Sequence, residues 1–131
     1  MIAHTKTCIC EMVVKTVLWV GRSQEDVRRF PRDVRQRAGY ELYQVQRGLD
    51  PSDWKPMATV GPGVREIRIH TGLEHRVIYI ANFNEGVYVL HAFEKKSRQT
   101  AKADIDMARS RLADVVAVRR RGPRSVSGRS R

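Results

Sequence analysis

The sequence holds only two cysteines in 131 residues, Cys8 and Cys10. Two cysteines this close make a poor disulfide, and no further cysteine is present to complete a zinc site. They read as free thiols of a reducing cytosol, and a cytoplasmic location is expected. Long apolar runs are also missing. The longest, residues 77–81, is five residues, against the ~20 a membrane helix needs. A membrane-spanning helix is excluded, and no membrane partner is expected. Residues 1–12 (MIAHTKTCICEM) lack the charged start and apolar core of a secretory signal. They read as an extension that need not belong to the fold, with Met12 as an alternative start. Acidic residues are scarce beside basic ones, 14 against 25, for a formal net charge of +11. Such an excess directs the search toward polyanionic partners.

What remains suits one ordinary domain, with 41% hydrophobic and 30% charged residues. The charge is uneven. Residues 119–131 carry six arginines and no acid. With Gly, Pro and Ser making up nearly all the rest, this stretch reads as a disordered Arg-rich tail that cannot pack. Residues 13–118 form the expected domain.

Residues 13–20 (VVKTVLWV) are β-branched and aromatic, and predict a strand ending at Gly21. Ser23 is placed as a helix N-cap with Asp26 as its capping-box partner, opening a short helix over 24–30. Pro31 fits the first turn of a second helix. There Val34, Ala38, Leu42 and Val45 form one apolar stripe, with Arg32, Arg35, Gln36 and Glu41 on the opposite face. Gly48 fits its C-terminal stop. Residues 50–63 read as loop, with a short strand at 57–60. Three strands come next, over 64–71, 75–83 and 87–93. In the first, Arg65, Ile67 and Ile69 share one face and Glu66, Arg68 and His70 the other. The second is largely apolar and so central. Short connections force antiparallel neighbours. Asp104 is placed as the cap of a last helix reaching about residue 118, burying Ile105, Ala108, Leu112, Val115 and Val116. The expectation is an α+β domain with helices packed on one face of a small antiparallel sheet.

The chain from the helical pair onward carries several specific pieces. These are Phe30-Pro31, Gly39-Tyr40, Trp54-Lys55-Pro56-Met57, Gly63-Val64-x-Glu66-Ile67-Arg68, Arg76-Val77-Ile78-Tyr79 and Leu90-His91-Ala92-Phe93-x-Lys95-Lys96. In this order and spacing they resemble the phage-derived HigB-like toxins of the RelE/ParE superfamily, from about residue 14 to 112. The resemblance implies a RelE-like fold and the toxin of a type II toxin–antitoxin pair. Such toxins typically cut mRNA on the ribosome and are held inactive by a small helix-turn-helix antitoxin; no cofactor is expected. The implied partners are a cognate antitoxin of that kind, mRNA, and the ribosome around its 16S rRNA. One branch of the superfamily poisons DNA gyrase instead. A gyrase-directed toxin and a non-enzymatic nucleic-acid-binding relative are therefore the alternatives.

Cutting RNA without a metal requires that the 2′-OH lose a proton, the 5′-oxygen gain one, and the phosphorane charge be stabilised. The sequence shows no Asp/Glu/His cluster with metal spacing. Arg68, Arg76, Lys95 and Lys96 can converge on one patch of an antiparallel sheet, and guanidinium groups suit a phosphate. Glu66 and His91 are the acid/base candidates. In the wider RelE group, basic residues matching Arg76 and following the last strand are functional. Where many relatives carry a lysine this chain has Glu66. Lys55, Arg65, Lys96 and Tyr79 are the expected RNA contacts, Tyr79 as a hydrogen-bond donor. His70 and His75 flank a turn and are expected to be exposed bystanders.

Overall fold

A computed structural model describes residues 14–127, the last five of them by backbone alone. Residues 1–12, the two cysteines and residues 128–131 lie outside the described part. The elements run β1 (Thr16–Trp19), α1 (Ser23–Arg28), α2 (Arg32–Gln46), β2 (Trp54–Pro56), β3 (Val64–Thr71), β4 (Leu73–Ile80), β5 (Gly86–Lys95) and α3 (Lys102–Ser127). The fold is α+β and of RelE type.

Five strands form one sheet in the order β1-β5-β4-β3-β2. β2, β3, β4 and β5 pair antiparallel, as their short connections demand. β4 is the middle strand, and its residues from His75 to Ile80 are all buried. β1 departs from the all-antiparallel expectation. It pairs parallel to β5, Thr16 opposite Gly86 and Trp19 opposite Val89. Gly86 permits this close approach, because a Cβ there would lie 2.5 Å from the Thr16 carbonyl oxygen. β2 also differs from expectation. The strand is Trp54–Pro56, and residues 57–60 turn away from it.

The helices cover both faces, not one. Val34, Ala38, Leu42 and Val45 of α2, with Phe30, pack on Ile67, Ile69, Val77, Tyr79 and Val89. Ala108 and Val115 of α3, with Ile105 and Leu112 beside them, pack on Val64, Ile78, Ile80, Leu90 and Phe93. A strand apolar on both sides has to be covered twice, and β4 is such a strand. The bulge between β4 and β5 helps. Ile78 opposes His91 and Tyr79 opposes Val89, so Leu90 is extra. Leu90 and His91 therefore both face α3.

Several local details depart from sequence expectation. Ser23 does not cap α1; Arg22 stands at the cap position without a side-chain bond. Ser23 is fully buried, and its Oγ accepts the Val20 N–H instead. Asp26 points to α3, not to Ser23. Asp104 lies inside the first turn of α3 rather than at its cap, and its carboxylate meets His91. Glu41, expected on the polar face of α2, is buried and takes up Arg37 and the Ser52 N–H. The stop of α2 is as expected. Gly48 has φ 85°, and the Leu49 and Gly48 amides donate to Gln44 and Val45 carbonyls.

The Arg-rich segment also behaves differently at its start. α3 continues past residue 118, and its helical turns break only at Gly122, φ 72°. Arg119 is held by Glu85 at 2.7 Å and lies over the Phe83 ring, 3.9 Å from its centre. A composition lacking apolar residues does not prevent packing when a carboxylate and a ring stand opposite.

Candidate nucleic-acid interface

The strand register places the site. Antiparallel partners share a face at a spacing of roughly 5 Å. On the α3 side three rows cross the sheet. The first is Lys55, Glu66, Ile78 and His91; the second is Arg68, Arg76 and Phe93; the third is His70, Glu74 and Lys95. α3 roofs the β5 end of the first row. α3 also packs on Val64, Ile80 and Phe93 of this face, and of its charged positions Lys55, Arg68 and Lys95 are at least partly exposed while Glu66 and Arg76 are buried. Lys55, Glu66, Arg68, Arg76 and Lys95 come together there.

Glu66 is the unusual member. Its side chain is 0% exposed and that of Arg76 only 3%. The Arg76 Nε stands 3.6 Å from Glu66 Oε1, beyond hydrogen-bond length. Neither Glu66 oxygen has a hydrogen-bond partner among the described residues, and the Nε atoms of Arg68 and Arg76 have none either. Arg76 is anchored elsewhere: Nη1 donates to the His75 carbonyl at 3.0 Å and pairs with Glu74 at 3.0 Å. A buried polar group without hydrogen bonds costs on the order of 1–3 kcal/mol, and a charged one more.

Lys95 completes the patch. Burial, and then the Arg76 guanidinium, hold its ammonium below the ordinary lysine value; Lys55 and Arg68 add to this and Glu66 opposes it. Beside the patch runs a groove of about 430 Å³, with Lys55, Lys95 and Arg98 contributing charge and Thr59, Gln99 and Thr100 hydroxyl and amide groups. Arg98 does not stand out in the sequence; its position in the basic stretch after β5 is the only signal it offers.

The other expected site residues lie apart. Arg65 and Tyr79 oppose each other on the α2 side of the sheet, across it from the patch. Arg65 pairs with Asp50 at 2.9 Å and stacks over Trp54. Tyr79 is 1% exposed, and burial pushes its phenol up, with Arg65 opposing. Alternation along β3 places Arg65 on this face, away from the patch. Lys96 is exposed just past the end of β5.

His91 is near the patch but engaged. Its Nε2 is 2.7 Å from Asp104. Its Nδ1 lies 3.4 Å from the buried Arg111, which also donates to the Leu90 carbonyl and to Asp26. With Nε2–H directed to Asp104, Nδ1 is left to accept from Arg111. Both ring nitrogens thus serve to fasten α3 and α1 to β5. His75 is buried, not exposed, with its ring edge-on to Phe30. His70 is exposed, as expected, but it is no bystander: carboxylates stand against both its ring nitrogens.

Among the described residues no His/Cys/Asp/Glu cluster is arranged to hold a metal ion, and no helix is long and apolar enough to cross a membrane. No curated protein matches the sequence. One family does: that described as Phage derived protein Gp49-like fits residues 25–113, a span running from α1 to the middle of α3 and including every residue of the patch. That match covers more than half of the sequence, and with the RelE-type sheet it shows that the chain belongs to the phage-derived Gp49-like family of RelE/HigB-like toxins.

Proposed function

We propose that residues 13–118 form the toxin of a type II toxin–antitoxin pair, and that it cleaves mRNA on the ribosome. The observation that carries this reading is the α3-side patch, where the partly exposed Lys55, Arg68 and Lys95 stand with the buried Arg76 about the unsatisfied Glu66. A structural ion pair would have its hydrogen bonds made; this one does not. Four cations match one scissile phosphate and its neighbours. The groove beside them, with Arg98, gives a single strand room to lie.

In this reading the phosphate binds Arg68, Arg76 and Lys55. It competes with Glu66 for Arg76, and the freed carboxylate takes the proton of the adjacent 2′-OH. The 2′-oxygen attacks phosphorus, the bond from phosphorus to the 5′-oxygen breaks, and Lys95 supplies the proton to that oxygen. The products are a 2′,3′-cyclic phosphate and a 5′-hydroxyl. A lysine held below its ordinary value is a better acid than a free one. His91 takes no part, since both its nitrogens are used. The protein works in the cytoplasm beside ribosomes, and a small helix-turn-helix antitoxin covers the basic patch or displaces α3.

The test is a map of transcript 5′ ends after brief induction. It compares the wild type with Arg76→Gln, on a translated reporter and on the same reporter without its start codon. New ends are expected only for the wild type on the translated message. Growth arrest without new ends overturns the nuclease reading and points to a gyrase-directed toxin. No arrest and no ends point to a relative that only binds.

A further inference from the structure

His70 stands at the rim of the patch, opposite Glu74 on β4, with its side chain 44% exposed. Its Nδ1 lies 2.8 and 2.7 Å from the two Glu74 oxygens, and its Nε2 lies 2.7 Å from Asp53. A neutral imidazole has one N–H and cannot donate to both carboxylates; the imidazolium can. The same two carboxylates serve the patch arginines. Glu74 Oε1 is 3.0 Å from Arg76 Nη1, and Asp53 Oδ1 is 4.0 Å from Arg68 Nη1. The contacts run in one line from Arg76 through Glu74, His70 and Asp53 to Arg68. Across a small cavity α2 presents Arg37 and Glu41 to His70, but these two are closed on each other at 3.0 Å.

Resting on the nuclease reading of the patch, we infer that His70 is a positioning residue. Its imidazolium neutralises Asp53 and Glu74, and so keeps Arg68 and Arg76 available to an RNA phosphate. When His70 is neutral, both carboxylate charges fall on the two arginines alone, and they compete with the phosphate. The surroundings favour the charged form: the bond to Glu74 first, and then that to Asp53, raise His70 above the ordinary histidine value, while His70 and Arg76 lower Glu74. The charge is therefore present below that raised value and lost as pH climbs through it. RNA affinity takes the same course, highest in mild acid and falling above the usual histidine range.

The full chain is titrated with a fluorescent single-stranded RNA carrying 2′-O-methyl groups throughout, which binds without being cut. Affinity is read by anisotropy from pH 6 to 9 at one salt concentration. The wild type is expected to lose affinity about three- to tenfold across that range, the scale of one charge at a phosphate site. His70→Gln is expected to bind weakly at every pH. His70→Lys, permanently charged, is expected to bind tightly throughout. Both substitutions are at an exposed position, and both variants should melt with the wild type. If His70→Gln keeps the wild-type pH course, the inference is overturned while the nuclease reading stands. If the wild type binds no RNA at any pH, this inference is overturned, while the ribosome-dependent nuclease reading is decided separately by the map of transcript 5′ ends.

Discussion

Around Arg111, the buried charge on the α3 side of the sheet is hydrogen-bonded to Asp26, the Leu90 carbonyl and His91, and His91 in turn to Asp104. Around Glu66, in the same row of residues as His91, the buried carboxylate has no hydrogen bond and one guanidinium at 3.6 Å. Both clusters are charged, buried and on one face. The first links three elements through satisfied contacts, so its work is structural. In the second the carboxylate is left without a hydrogen bond, and this difference is what supports the ligand-binding reading proposed for it. Burial of charge alone does not mark a site; burial without partners, beside an open surface, does.

The largest effect should come from the satisfied cluster. Arg111→Met leaves Asp26, His91 and the Leu90 carbonyl without their donor, and is expected to cost about 3–5 kcal/mol in urea unfolding. A loss under about 1 kcal/mol would mean that the cluster does not fasten α3. Glu66→Gln should show the reverse profile. Stability is expected to stay within about 1 kcal/mol, since the removed charge made no hydrogen bond. Cleavage is expected to fall by about 100-fold or more, as for loss of a general base. Retained cleavage in single-turnover assays would remove Glu66 from the chemistry. His91→Asn tests the boundary between the clusters. It should cost about 1–3 kcal/mol of stability yet leave the cleavage rate within about tenfold of wild type at a temperature where both are folded. A rate loss far beyond that would return His91 to the catalytic set.

The smallest effect belongs to Arg119 at the surface. Its guanidinium holds the Glu85 carboxyl down to about 2, with the Tyr88 hydroxyl contributing. A carboxyl lowered on folding stabilises above its unfolded value and loses that contribution as pH falls through the folded one. Arg119→Ala should therefore lower the melting temperature slightly at pH 7, and the gap to wild type should close between about pH 4.5 and pH 2. Both side chains are well exposed, so salt should shrink the gap too. A gap that ignores pH would assign the contribution to packing on Phe83 alone.

Much of this is legible in the residues, and the failures are instructive. The bounds of β3, the central place of β4, the apolar stripe of α2 and the stop at Gly48 come from period, run length and one positive φ, all local quantities. The grouping of Arg68, Arg76 and Lys95 is legible from short antiparallel connections. The choice between His91 and Glu66 is not. Both are polar residues in strands, and nothing in either strand tells which will meet Asp104 and Arg111 and which will meet only Arg76. The partners of His91 come from α1 and α3, distant in sequence. For the same reason Glu41 and His75 read as facing water, and His70 reads as a bystander though it links two carboxylates.

By itself, then, the sequence determined the α+β class, the alternation along the strands and the family to which the chain belongs. Those properties are written in spacing and order along one chain. The tertiary structure alone decided that β1 joins β5 in parallel, that α3 closes the second face, and that Glu66 is sealed without a partner while His91 has two. Those outcomes depend on which side chain stands across a strand or helix from another, and that is settled only when the elements pack.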